Sequence, residues 1–275
     1  MALSITSLNS GSNGNCYYLA NEHDAILVDA GISCRETEKR MARLGLSMSK
    51  VRAIFVSHEH ADHIRGIPVL AKKYNLPVYI SGATLISAGL DLDRELIRSF
   101  TAHEVVHIGE LAVTAFPKFH DAADPHSFII SFNEIRVGVF TDIGYPCEHV
   151  IRYFSQCDAA FLEANYDDDL LENGRYPYHL KARIRGEKGH LSNKQALALF
   201  SAQGAHMSHL LLSHLSKDNN CPKIVRELFN SHAGETEIII ASRDQETEIC
   251  HIRKWADPGL IKKADHSVHV QFTLF

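Results

Sequence analysis

The stretch AIFVSHEHADHIRG, residues 53 to 66, constrains this chain more than any other. An apolar run from Ala53 to Val56 delivers three histidines and two carboxylates between His58 and His63. A strand end is a rigid support, and the loop leaving it can turn several side chains inward. His58 and His60 are two apart, so in an extended segment they point the same way. Asp62 and His63 follow where the chain turns into a helix. Two ligand sets can therefore face two neighbouring metal ions. Imidazole and carboxylate without thiolate suit zinc, manganese or iron. The competing reading is a solvated polar loop, but five titratable groups at one strand end cost stability unless they do something.

The rest of the chain reads as mixed α/β. Strands are expected at 3–8, 16–20, 25–29, 52–57, 77–80, 104–117, 126–141 (with NE as a turn within it), 158–163 and 236–241, and over MSHLLLSH. Helices are expected over SCRETEKRMARLG, HIRGIPVLAKKYN, ATLISAGL, 147–155, LSNKQALALFSAQG and 222–231. Ser33 with Glu36, and Ser192 with Gln195, have the spacing of capping boxes. Strands lead each half without a regular βαβ repeat. That order favours two packed sheets with helices outside, an αββα sandwich. No linker or low-complexity tract interrupts the 275 residues, so one domain, 1–275, is expected.

The net charge of −5 excludes a broad basic face for nucleic acid. Any polyanion must be met by a local patch. The six cysteines include no C-x-x-C pair, which points to reduced thiols and a cytoplasmic protein. The N-terminus has no signal-peptide pattern, and no apolar run reaches the length of a membrane span.

HEHADH resembles the H-x-H-x-D-H signature of the metallo-β-lactamase fold superfamily, and ILVDAG resembles its first motif. FPKFHDAADPHSF, VFTDIG and LLLSHLS supply the remaining motifs, in order, between residues 25 and 216. SLNSGSNGN, FHDAADP, KGHLSN and SHLSKDNN together are similar to the YycJ/WalJ branch, which is related to ribonuclease Z. The likeness runs to about residue 240, and the tail from Arg253 onward carries no motif.

That resemblance implies one divalent ion on His58, His60 and His120 and a second on Asp62, His63 and His214, with Asp142 bridging. It implies zinc or manganese, with iron admissible, and a hydroxide shared between the two ions. Asp29 would orient a ligand from behind. The catalytic assignments fall on Asp62 and His190, because ribonuclease Z-like nucleases place a similar histidine beside the scissile phosphate. His190 also precedes a capped helix, and a mere helix-start role competes. Asp121 and Asp124 read as turn residues of DAADP.

NSGSNGN is a Gly- and hydroxyl-rich loop that can cradle phosphate or simply turn, and the resemblance makes Ser10, Ser12 and Asn15 candidate substrate contacts. Lys181, Arg183 and Arg185 form a basic run just before His190, either a phosphate-binding face or a solvated one. The implied function is a two-metal phosphodiesterase, a DNA nuclease of exonuclease type. The rivals are a lactonase or thioesterase of the same fold, and a non-catalytic protein that keeps it. Nucleic acid, expected to be DNA, is the implied partner; no membrane partner is expected.

Overall fold

A computed structural model of the protein describes residues 2–254. Fourteen strands form two seven-stranded sheets among those residues. The first sheet contains β1 (Leu3–Asn9), β2 (Cys16–Ala20), β3 (Ala25–Val28), β4 (Val51–Phe55), β5 (Val78–Tyr79) and β6 (Ile97–Arg98), in that spatial order. The second contains β7 (Val105–Ile108), β8 (Leu111–Pro117), β9 (His126–Phe132), β10 (Ile135–Phe140), β11 (Ala159–Glu163), β12 (His209–Ser213) and β13 (Glu237–Ile240), again in order. β14 (Cys250–Ile252) returns to pair antiparallel with β1.

Both sheets begin as antiparallel meanders and continue as parallel strands. β3 and β4 are the first parallel pair of one sheet, β10 and β11 of the other. The meander turns follow local chemistry. Asn21 Oδ1 accepts from the backbone N–H of His23 and Asp24, which folds the NEHD turn. A two-residue turn at Gly109–Glu110 splits the expected strand 104–117 into a hairpin, and the expected NE turn, Asn133–Glu134, divides 126–141 into another. Gly109 and Asn133 adopt φ of 58° and 55° there.

Helices cover the outer faces: α1 (Cys34–Arg43), α2 (Ala61–Ile64), α3 (Ile67–Tyr74), α4 (Gly82–Ala88), α5 (Glu148–Phe154), α6 (Asp168–Asn173), α7 (Tyr178–Arg185), α8 (Asn193–Gln203) and α9 (Pro222–Asn230). Strands buried on both faces need apolar residues at both parities. In β2, Tyr17 and Leu19 face the other sheet, while Cys16 and Tyr18 face the helices. The layer between the sheets holds Tyr17 against Phe161, with ring centroids 4.8 Å apart, and Phe55 against Phe128 at 5.6 Å. Separate apolar layers lie between each sheet and its helices. The architecture is the expected αββα sandwich.

Several local expectations need correction. The helix over HIRGIPVLAKKYN breaks into α2 and α3, because the Gly66 N–H donates to the Ala30 carbonyl at 2.7 Å. A Cβ on Gly66 would lie 2.0 Å from the Ile32 carbonyl oxygen, so only glycine allows this contact. The basic run before His190 is partly helical, as α7. Ser192 and Gln195 do form a reciprocal capping box at α8. The tail that carries no motif lies outside the described residues from Trp255 onward. No described helix is long and apolar enough to cross a membrane.

Candidate metal centre

Most of the candidate ligand residues sit where strands end, while Asp62 and His63 lie on α2 just after β4. Asp29 leaves β3, His58 follows β4, His120 follows β8, Asp142 follows β10 and His214 follows β12. Asp29, Asp142 and His214 take left-handed backbone, with φ of 58°, 55° and 55°. Such conformations cost roughly 1 kcal/mol or more, and Asp and His tolerate them better than bulkier residues. The strand ends therefore turn sharply and aim side chains into one spot.

The ligand atoms converge in two groups. His58 Nε2 lies 3.1 Å from His60 Nδ1, and His120 Nε2 lies 3.3 Å from the same atom. On the other side, His214 Nε2 lies 3.4 Å from Asp62 Oδ2, and His63 Nε2 lies 3.6 Å from it. In each group the donor atoms lie within 4.8 Å of one another. Asp142 stands between the groups. Its Oδ1 is 3.7 Å from His120 Nε2, and its Oδ2 is 3.2 Å from His63 Nε2.

The opposite ring nitrogens fix the tautomers. His63 Nδ1 meets Asp29 Oδ2 at 2.7 Å, and His120 Nδ1 meets the Gly189 carbonyl at 3.0 Å. His58 Nδ1 meets Ser57 Oγ at 2.8 Å, and that hydroxyl donates to Asp29. Four imidazoles thus present Nε2 inward, while His60 presents Nδ1. Asp29 stands behind the His63 ring, on the Nδ1 side, while Nε2 faces Asp142.

Electrostatics follow from burial and close packing. Burial drives His58 well below its ordinary range and His120 down to about 4, so both are neutral and able to ligate. Burial opposes charge on His63 too, but Asp142, Asp29 and Asp62 raise it to about 10. Burial likewise opposes charge on His214, but Asp142, Asp62 and Glu163 hold it well above its usual range. Burial resists ionisation of Asp142, yet His214 and His63 keep it well below the carboxylate range. In the metal-free protein, protons on His63 and His214 supply the positive charge that these carboxylates require.

The donor set fits a pair of divalent cations. Asp142 Oδ2 is buried and makes no well-aligned hydrogen bond among the described residues; its near counter-charge is His63 Nε2 at 3.2 Å, a role that a cation can take over. His58, His60 and His120 would hold one ion, and Asp62, His63 and His214 the other, with Asp142 reaching both.

Glu163 is the residue that sequence reasoning missed. It ends β11 and is fully buried. Its Oε1 lies 2.7 Å from His190 Nδ1 and 3.0 Å from His214 Nδ1. Its Oε2 accepts the backbone N–H groups of Ile143 and Leu191. Burial resists its ionisation, but His190 and His214 hold it ionised, down to about 2. The signal was available: AAFLE ends an apolar run in a carboxylate, as VFTD and LLLSH end in titratable groups. Lys118 was missed as well. Buried beneath the site, it donates to the Thr141 carbonyl at 2.6 Å, next to Asp142.

His190 is not a helix-start residue. Ser192 caps α8, while the His190 ring faces a cleft of about 250 Å³ that also exposes His60, Asp62, Asp142 and His214. Its ring centroid lies 5.1 Å from that of His120 and 5.3 Å from that of His214. Asp121, read as a turn residue, also borders the cleft, with Oδ1 3.3 Å from His120 Nε2.

The expected substrate contacts need correction. Ser10 and Asn15 are 2% and 0% exposed and serve the framework. Ser10 Oγ accepts the His214 N–H at 2.7 Å, and Asn15 accepts the Gly11 N–H. Only Ser12 of the three borders the cleft. Lys181 and Arg185 turn to Glu172, by its carbonyl and carboxylate respectively, and do not border the cleft. Arg183 does, but it is paired with Asp121.

Residues 24–215 match the family model described as beta-lactamase superfamily domain. The chain is 35% identical to "Exodeoxyribonuclease YycJ" of Bacillus anthracis, covering 82% of this chain and 87% of that one. It is 31% identical to "Exodeoxyribonuclease WalJ" of Streptococcus pneumoniae, covering 84% and 88%. Among solved structures, the metallo-beta-lactamase fold protein YhfI of Bacillus subtilis superposes with a TM-score of 0.72 at 18% identity, covering 91% of this chain and all of that one.

Proposed function

Because the chain belongs to the metallo-β-lactamase fold superfamily, in its YycJ/WalJ-like branch, and is a metal-dependent hydrolase, we propose that it is an exodeoxyribonuclease acting in the cytoplasm. The names of the relatives supply the substrate class, and the six free thiols fit a reducing compartment.

The observation that carries this reading is the Glu163–His190 pair at the cleft mouth. The 2.7 Å contact leaves His190 Nε2 free to face a substrate. A phosphodiester seated between the two ligand groups would meet that nitrogen beside its leaving oxygen. There an imidazole can donate a proton or offset developing charge. Glu163 holds the ring in place through its Nδ1.

Two divalent cations on the seven ligands would supply Lewis acidity and a hydroxide nucleophile near neutral pH. The chain's own residues set the geometry. Asp29 and Glu163 hold the rings of His63 and His214, and the Gly189 carbonyl holds that of His120. Tyr176, Leu180 and Ile184 give the cleft an apolar wall for sugar or base.

The test is a substrate panel with manganese- or zinc-loaded protein: single- and double-stranded DNA, RNA, a bis-aryl phosphodiester and a lactone. DNA and the bis-aryl ester should be hydrolysed. Turnover of the lactone alone would overturn the reading in favour of a small-molecule hydrolase.

A further inference from the structure

Arg183 and Arg185, in the basic run before His190, pair at the surface with Asp121 and Glu172. Cations without such partners lie elsewhere. A second cavity of about 300 Å³ opens beside the catalytic cleft, and Ser216 borders both. The wall between them is the turn that follows His214. Ser10, which holds the His214 N–H, borders the second cavity as well.

Lys217, Arg226 and Arg243 line this second cavity, against one carboxylate, Asp244. Lys217 and Arg226 are exposed and make no ion pair among the described residues. Arg243 reaches back across the turn and donates to the Leu215 carbonyl at 2.6 Å. Its guanidinium also packs over Gly11, where a Cβ would come within 3.0 Å of Nη2. It thereby ties the loop that carries Ser12 to the turn that carries Ser216.

We propose that this groove is the track for the part of a single DNA strand adjoining the scissile phosphate, with Lys217 and Arg226 meeting its backbone phosphates. The inference rests on the nuclease reading above. A protein of net charge −5 must meet a polyanion with a local patch, and this is the patch that continues from the cleft. Backbone contacts of this kind carry no sequence information, so the track is sequence-tolerant.

The experiment uses the full chain loaded with manganese and a single strand of about twelve nucleotides. Lys217→Glu and Arg226→Glu are compared with Lys72→Glu, a charge-matched change on α3. Each groove variant should raise KM for the strand about tenfold. Each should also flatten the dependence of log binding constant on log salt by about 0.7, one phosphate contact's worth. Lys72→Glu should do neither. If the wild type cleaves the strand but the groove variants match Lys72→Glu, the track is overturned and the nuclease reading survives. If the wild type cleaves a bis-aryl phosphodiester but no strand, the track and the DNA assignment both fall. If it cleaves neither, the nuclease reading fails and takes the track with it.

Discussion

Glu163 Oε1 lies 2.7 Å from His190 Nδ1 and 3.0 Å from His214 Nδ1, so one buried carboxylate orients a cleft imidazole and a ligand imidazole together. Losing its charge should therefore affect both. Glu163→Gln should reduce metal affinity by roughly 10- to 100-fold, the usual scale for a ligand's orienting partner. It should also depress turnover at saturating metal and shift the pH–rate profile. Metal titration and pH profiles on the same variant check this. Normal affinity with a normal profile would reduce Glu163 to a packing role.

Asp142 reaches both ligand groups, and its Oδ2 makes no well-aligned hydrogen bond among the described residues. The wild type should therefore hold two ions per chain, and Asp142→Ala should hold fewer at the same metal concentration. Elemental analysis after equilibrium dialysis gives the count. One ion per wild-type chain at saturation would contradict the two-ion reading.

Metal loading should release protons. His63 is raised to about 10 in the metal-free protein, and His214 is raised too, so both carry protons near neutrality that a ligand must lose. Affinity should rise by about one to two orders of magnitude per pH unit between roughly pH 6 and 8. The His63 proton has a converse effect on the metal-free fold. It contributes stability fully present below about 6.5 and lost as pH rises through about 10. Calorimetry in buffers of different ionisation enthalpy reads the protons released. A pH-independent affinity would contradict the charge arrangement.

The fold and the convergence of the candidate ligand side chains were legible because they obey short-range rules. Apolar strands ending in His or Asp, and capping residues such as Ser192, write their roles locally. Glu163 escaped because its partners, His190 and His214, lie 27 and 51 residues away in sequence. The sequence left Lys181 and Arg185 open between a phosphate-binding face and a solvated one for the same reason. A sequence shows their charge but not Glu172, which takes it up in three dimensions. Ser10 and Asn15 look like loop residues, and only the closure of the loop on His214 and Asp62 reveals that they are framework.

That reassignment is itself testable. Because Lys181 and Arg185 turn away from the cleft, Lys181→Ala and Arg185→Ala should leave KM for single-stranded DNA within about threefold of wild type. Exposed pairs of this kind contribute roughly 0–1 kcal/mol, so thermal stability should change little as well. Steady-state kinetics on labelled oligonucleotide decide it. A tenfold rise in KM from either change would return that cation to the substrate path.

The most direct measurement of the central claim sets His190→Ala beside His58→Ala on one phosphodiester, with metal content determined on the same samples. His190 belongs to neither ligand group used above, so His190→Ala should retain two ions and lose about 10²-fold or more in turnover. His58→Ala should lose metal and activity together. Full activity in metal-replete His190→Ala would contradict the claim that this imidazole, held by Glu163, acts on the scissile phosphate.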